Sequence, residues 1–152
     1  MTKGRTIAVN RKARFNYEVL DTVEAGIVLK GTEIKAVREG RLSLAEAYAR
    51  PQDGELWLTN AHIAQYSAGN VSNHDPLRSR KLLLHKDQIL RLARQVEGKG
   101  LTLVPLRMYF KRHMVKIELG LARGRRLYDK RRAIVDRERE REARQALSRR
   151  YP

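Results

Sequence analysis

The spacing of apolar positions changes several times along the chain, and each change predicts an element. From Phe15 to Leu29 (FNYEVLDTVEAGIVL), Tyr17, Val19, Asp21 and Val23 alternate with Glu18, Leu20, Thr22 and Glu24, a mixed period of two that predicts a strand. Gly26 suggests a bulge or bend within it. Between Gly31 and Gly40, Glu33–Glu39 places Ile34 and Val37 three apart and predicts a short helical turn. Leu44–Arg50 and Glu55–Ile63 flank Pro51-Gln-Asp-Gly54 and predict a hairpin with a four-residue loop. Residues 67–80 (SAGNVSNHDPLRSR) are rich in turn formers and read as a loop long enough to have a role of its own. In Lys86–Glu97, Ile89, Leu92, Ala93 and Val96 fall at i, i+3, i+4 and i+7, which predicts a clear helix stopped by Gly98 and Gly100. Leu101–Phe110 and Val115–Leu121 predict a second hairpin around Lys111-Arg-His-Met114, with Pro105 placing its first strand at an edge or bulge.

About six strands, one clear helix and one short helix thus occupy residues 15–122. Antiparallel hairpins in this number close most economically into a small β-barrel. A single helix between strand groups is the arrangement of oligonucleotide-binding barrels, so the expected class is mainly β, a barrel of that type. Fold alone leaves function open.

The last thirty residues, 123–152, break the pattern: apolar positions are few and scattered. Such a segment cannot bury enough surface to offset its ordering entropy, yet its Arg, Glu, Gln, Ala and Leu are good helix formers. Asp136–Arg139, Glu138–Arg141, Arg139–Glu142 and Glu140–Arg144 have helical spacing, each pair worth roughly 0.2–0.5 kcal/mol. The expectation is a tail disordered alone and helical when docked.

Charge sharpens this division. Net charge is +16. Residues 1–14 carry five basic and no acidic groups; residues 123–152 carry twelve basic and five acidic, net +7. The middle, 15–122, keeps only +4. The domain reading is a basic N-terminal arm (1–14), a barrel (15–122) and a basic tail (123–152). So basic a chain attracts polyanions through counterion release, nucleic acid before anionic membrane. No cysteine is present, which excludes disulfides and thiolate chemistry and suits a reducing compartment. Neither a secretory h-region nor an apolar run of about 20 residues occurs, so a cytoplasmic protein with no membrane association is expected.

Catalytic and metal patterns are missing. His62, His74, His85 and His113 have no i+4 partner, so no metal site is expected. Glu97-Gly-Lys-Gly100 follows a helix and reads as its stop rather than a phosphate loop. No cofactor and no enzyme activity are expected.

Three basic clusters remain: Asn10-Arg11-Lys12-Ala-Arg14, Arg78-Ser-Arg80-Lys81, and Arg123-Gly124-Arg125-Arg126 with Lys130-Arg131-Arg132. Guanidinium forks match phosphate oxygens two at a time. Phe15 and Tyr17 adjoin the first cluster and Tyr128 sits in the third, where each can stack on a base. Trp57, Tyr109 and Phe110 lie on strands and are expected to pack there.

NRKARFNYEV, EAGIVLKGTEIKAVREG, NHDPLRSRKLLLHK, TLVPLRMYF and GRRLYDKR, in this order, resemble the small protein B family, the SsrA-binding proteins. The resemblance spans residues 7–150, and the five ordered blocks make it specific. It implies an oligonucleotide-binding barrel that holds the tRNA-like domain of transfer-messenger RNA, monomeric on that RNA, and enters ribosomes stalled on messages without a stop codon. The tail would fold as a helix in the empty decoding centre and message channel, against small-subunit ribosomal RNA. RNA contacts carried over are Asn10, Arg11, Lys12, Glu24, Lys35, Arg80, Lys81 and Leu83, to which the basic and aromatic pattern adds Arg14, Phe15, Tyr17 and Arg78. Ribosome contacts implied are Gly124, Asp129, Lys130 and Arg131; Arg125, Arg126, Tyr128, Arg132, Arg139 and Leu147 complete the candidate tail surface. Three positions depart from the family pattern: Phe15 stands where His is usual, Ala36 where Ser is common, and Arg139 where several relatives carry an aromatic. By composition alone, a rescue factor and a structural ribosomal or ribosome-assembly protein are equally supported, with an RNA-modifying enzyme as a third class; the order of the motifs favours the first.

Overall fold

Asn10 sets the entry to the fold. Its side chain accepts from the N–H of Ala13 at 3.1 Å and so caps a short helix, while its amide donates to the carbonyls of Pro105 at 2.8 Å and Leu44 at 2.9 Å. Around that clasp the computed structural model describes residues 5–66, 73–125 and 127–150. The elements are β1 (Thr6–Val9), α1 (Arg11–Asn16), β2 (Tyr17–Ile27), α2 (Gly31–Arg38), β3 (Leu42–Ser43), β4 (Tyr48–Gln52), β5 (Glu55–Thr59), β6 (His62–Ile63), β7 (Arg80–Leu83), α3 (Lys86–Lys99), β8 (Thr102–Lys111), β9 (Met114–Gly124) and α4 (Leu127–Arg150).

Six strands close a ring in the order β8-β4-β5-β7-β2-β9, with β9 pairing back to β8, and β1 joins outside it along β8. Every pairing is antiparallel. Closure removes the unpaired edges that an open sheet of this size would expose. The interior is filled by alternate residues of each strand, among them Leu56, Leu58, Leu82, Leu103, Met108, Ile117 and Leu119. Each contributes about 1.5–3 kcal/mol by leaving water. Ala36 and Val37 of α2 and Ile89 and Leu92 of α3 complete this core. The expected class, a small antiparallel barrel, is the one that forms.

Several elements differ from their sequence-based expectation. The sixth ring member is β7, at a stretch read as the basic end of a loop. Gln52 pairs with Glu55, so the first hairpin turns on two residues, not four. Asp53 and Gly54 both have positive φ, 52° and 77°, as a two-residue turn of primed type requires. Gly98 lies inside α3, which ends instead at Gly100 with φ 63°. Gly26 is not a bulge; the irregularity of β2 lies between Val19 and Asp21. Pro105 does mark a bulge, between itself and Arg107, and this turns Leu106 to the outer face beneath α1. There Leu106 packs over Gly120, where an added Cβ would stand 3.0 Å from its Cδ1.

The ends also divide differently. Residues 6–9 read as an arm pair with Arg107–Tyr109 as β1, and residues 11–14 belong to α1. The boundary set at 122 falls inside β9: Gly124 pairs with Tyr17, and the Arg125 N–H donates to the Asn16 carbonyl at 2.9 Å. Beyond it α4 is a 24-residue helix whose described side chains are all exposed. The expected Glu140–Arg144 pair forms along it, at 3.7 Å.

Candidate nucleic-acid interface

Strand register lines up one surface. On the outer face Leu83 of β7 stands opposite Gly26 of β2, Gly26 opposite Lys116 of β9, and Lys116 opposite Tyr109 of β8. A second row lies one pleat repeat along: Glu24 opposite Glu118, and Glu118 opposite Arg107. Four adjacent strands about 4.8 Å apart make this a band roughly 15 Å across. Gly26 has a packing reason to be glycine, since a Cβ there would meet Leu83 Cβ at 3.2 Å and the Lys116 ammonium at 3.7 Å.

The band is basic with an apolar end. Leu83 and Val28 are about half exposed beside Lys81, whose ammonium lies 3.1 Å from Glu55. At the other end the Arg107 guanidinium sits 4.2 Å from the Tyr109 ring centroid and 3.6 Å from Glu118. Arg14 reaches Glu118 from α1 at 3.9 Å, which joins the first basic cluster to the band. Glu24 accepts hydrogen bonds from the Tyr109 hydroxyl and from Lys111, the latter at 3.2 Å. The Tyr109 bond, with Lys111 and Lys116 nearby, holds the Glu24 carboxyl below its usual range against the opposing effect of burial. Burial, then the bond to Glu24, pushes the Tyr109 phenol up, so it stays a donor. Such a surface offers phosphates several cations, bases an apolar shelf, and amino or 2′-hydroxyl groups a carboxylate acceptor.

The structure brings together only part of the predicted contact set. Glu24, Leu83, Lys81 and Arg14 belong to the band. Arg11 and Lys12 are exposed on α1, with Lys12 paired to Glu46. Phe15 is half-buried, and Tyr17 packs with Val19 against Val104, Leu106 and Ala122. Lys35 is exposed on α2 rather than on a band strand, its ammonium 5.2 Å from the Tyr66 ring. Arg107, Tyr109, Lys111 and Lys116 were missed. The signal was present: Arg107-x-Tyr109-x-Lys111 is a period-two set on one side of a strand.

Asn10 and Arg80, predicted as RNA contacts, are instead interior. Asn10 is 3% exposed and fully engaged as the clasp described above. Arg80 is 0% exposed; its Nε donates to Glu33 at 2.6 Å and its Nη1 to the Ala61 carbonyl at 2.6 Å. Burial would raise the carboxyl of Glu33, but bonds from Arg78, the Lys30 N–H and Arg80 outweigh it and hold it low. Arg78, predicted as a phosphate contact, is mostly spent on this network, pairing with Glu33 and donating to the Ser79 carbonyl. His74 extends it, linking Thr32 at 2.8 Å to the Ile63 carbonyl at 2.9 Å. His74, Arg78 and Arg80 of the Asn73–Lys81 block thus form, with Glu33, a polar bolt between α2, β6 and β7. Arg80 faces inward with its donors on protein acceptors, while Lys81 of the same cluster faces out on the band.

On the tail, Gly124 ends β9, Arg125 is half-buried, and Arg131 and Arg139 are exposed on α4. Arg126 lies outside the described residues, as do the side chains of Tyr128, Asp129, Lys130, Arg132 and Leu147. Among the described residues no cluster of His, Asp or Glu could hold a metal ion, and no helix is long and apolar enough to cross a membrane.

Known proteins share this architecture and sequence. The family model described as SmpB protein matches residues 7–149. The SsrA-binding protein of Carboxydothermus hydrogenoformans is 53% identical over 97% of this chain and 99% of its own length. That of Acidothermus cellulolyticus is 54% identical over 96% of this chain and 92% of its own. A chain of the solved structure described as "tmRNA-SmpB: a journey to the center of the bacterial ribosome" matches with a TM-score of 0.67 and 52% identity, over 84% of this chain and 93% of that one. With the model running from β1 into α4 and relatives aligned almost end to end, the chain belongs to the SmpB family, the SsrA-binding proteins.

Proposed function

We propose that this chain binds transfer-messenger RNA through the outer band of β7, β2, β9 and β8 and delivers it to stalled ribosomes, its basic tail engaging the ribosome. One observation carries the reading: the strand register sets Leu83, Lys116, Arg107 and Glu24 side by side on one exposed face. Cations there supply affinity through the phosphates, and the apolar shelf and carboxylate supply selectivity. The relatives' name, SsrA-binding protein, and the ribosomal setting of the structural match support the same partner. The protein acts by binding, not by a chemical step, and works where ribosomes work, in the cytoplasm. The tail contributes Arg131 and Arg139, exposed on α4, to ribosomal RNA.

Sequencing the RNA that copurifies with the chain tests this. One dominant species with a tRNA-like end, lost in Leu83→Ala and Lys116→Ala, is the expected result. Uniform ribosomal RNA retained through high-salt washing would instead make the chain a structural ribosomal component.

A further inference from the structure

Glu118, the other acid of the band, is paired with Arg107 and Arg14, whereas Glu24 is the more exposed acceptor and its surroundings fix it in place. A carboxylate has about four lone-pair positions. In this chain Oε2 takes the Tyr109 hydroxyl, the Lys111 ammonium donates to Oε1 at 3.2 Å and to Oε2 at 3.4 Å, and the side chain remains 39% exposed. At least one position is therefore left for a ligand. Tyr109 is itself only 5% exposed, and Arg107 packs over its ring. Its hydroxyl is thus set by packing, and the carboxylate is set by the hydroxyl.

We propose that Tyr109 is a positioning residue for RNA recognition: its hydroxyl holds Glu24 in one rotamer, with its remaining lone pairs presented to a base amino group or a ribose 2′-hydroxyl. This rests on the band being the RNA-binding face. Without the hydroxyl the carboxylate swings toward Lys111 or into water, and each productive contact must first restore its orientation. The groups around Glu24 are Arg107, Tyr109 and Lys111 from β8 and Lys116 and Glu118 from β9. Of these only Tyr109 combines a hydrogen bond to the carboxylate with a buried, immobile ring.

Binding titrations of the full chain with a transcript of the tRNA-like domain of transfer-messenger RNA test the idea. Tyr109→Phe keeps the ring beneath Arg107 and removes only the hydroxyl. It should weaken binding about tenfold with the melting temperature nearly unchanged. In a Glu24→Gln background the same change should cost nothing further, because there is no carboxylate left to orient. The acid limb of binding should also move to higher pH in Tyr109→Phe, since the hydroxyl that keeps Glu24 ionised is gone. Unchanged affinity in Tyr109→Phe, or an equal loss with and without Glu24, would overturn the positioning role while leaving the face intact. Full affinity in both Glu24→Gln and Leu83→Ala would overturn the face itself and this inference with it.

Discussion

At the scale of single residues, the fold depends on polar side chains that composition would place at the surface. Arg80 and Glu33 are both fully buried and 2.6 Å apart, with the remaining arginine protons on backbone carbonyls. A buried pair adds little over an apolar substitute, but breaking it strands a charge. Arg80→Ala is therefore expected to cost about 3–5 kcal/mol of stability. Its effect on the salt dependence of RNA binding should be nil, where each lost phosphate contact would lower the slope by roughly 0.7–0.9. Denaturant unfolding and salt titration of the same variant separate the two roles; a shallower slope with unchanged stability would return Arg80 to the RNA surface. The same pair sets an acid limit. Glu33 titrates below its unfolded value in the fold, so its contribution is complete above the ordinary carboxylate range and is lost as pH falls through the folded value. Thermal unfolding as a function of pH should show an acid-side decline that Glu33→Gln removes, at the cost of a lower melting temperature at neutral pH.

At the scale of elements, the long strands and α3 were legible because their side chains obey one local period. β7 was not: in Arg80-Lys-Leu-Leu83 the first inward residue is a cation, made acceptable by Glu33, which lies 47 positions earlier in the chain. No local window contains that partner. α1 escaped for a related reason, since Asn10 reads as part of a basic run until its contacts to Leu44 and Pro105 are seen. The candidate band was half legible: Glu24, Lys81 and Leu83 came through resemblance and Arg14 through the basic pattern, whereas Arg107, Tyr109, Lys111 and Lys116 become neighbours only through register. Turns show the same non-locality. Lys111 pairs with Met114, leaving Arg112 and His113 as a two-residue turn with φ of 50° and 65°. Neither residue is suited to the left-handed region, unlike Gly54 in the other hairpin. His113→Gly should raise stability by roughly 1 kcal/mol, read as an increase in melting temperature with RNA affinity unchanged. A fall in affinity would mean that the turn itself touches RNA.

At the scale of the whole molecule, charge and packing separate two working parts. The barrel has a continuous core from β2 to β9, while α4 exposes every side chain described on it. The Glu140–Arg144 pair on it, like other exposed pairs of this spacing, is worth only tenths of a kcal/mol. Residues 123–152 bring twelve of the 33 basic groups, so their removal should reduce non-specific binding to any RNA and its salt dependence. Binding to the tRNA-like domain should survive, because the band lies wholly within the barrel. The place of the cut matters: ending the chain at 122 would remove Gly124 from its pairing with Tyr17 and Arg125 from Asn16, and so disturb α1 as well. A chain ended at Arg125 keeps β9 whole. It is expected to bind the tRNA-like RNA within about twofold of the full chain, by the near-independence of separate units, yet to support no peptide tagging on stalled ribosomes in a reconstituted translation system. Loss of both activities together would mean that barrel and tail act as one unit on the RNA, and retention of both would leave the tail without the ribosomal role proposed for it.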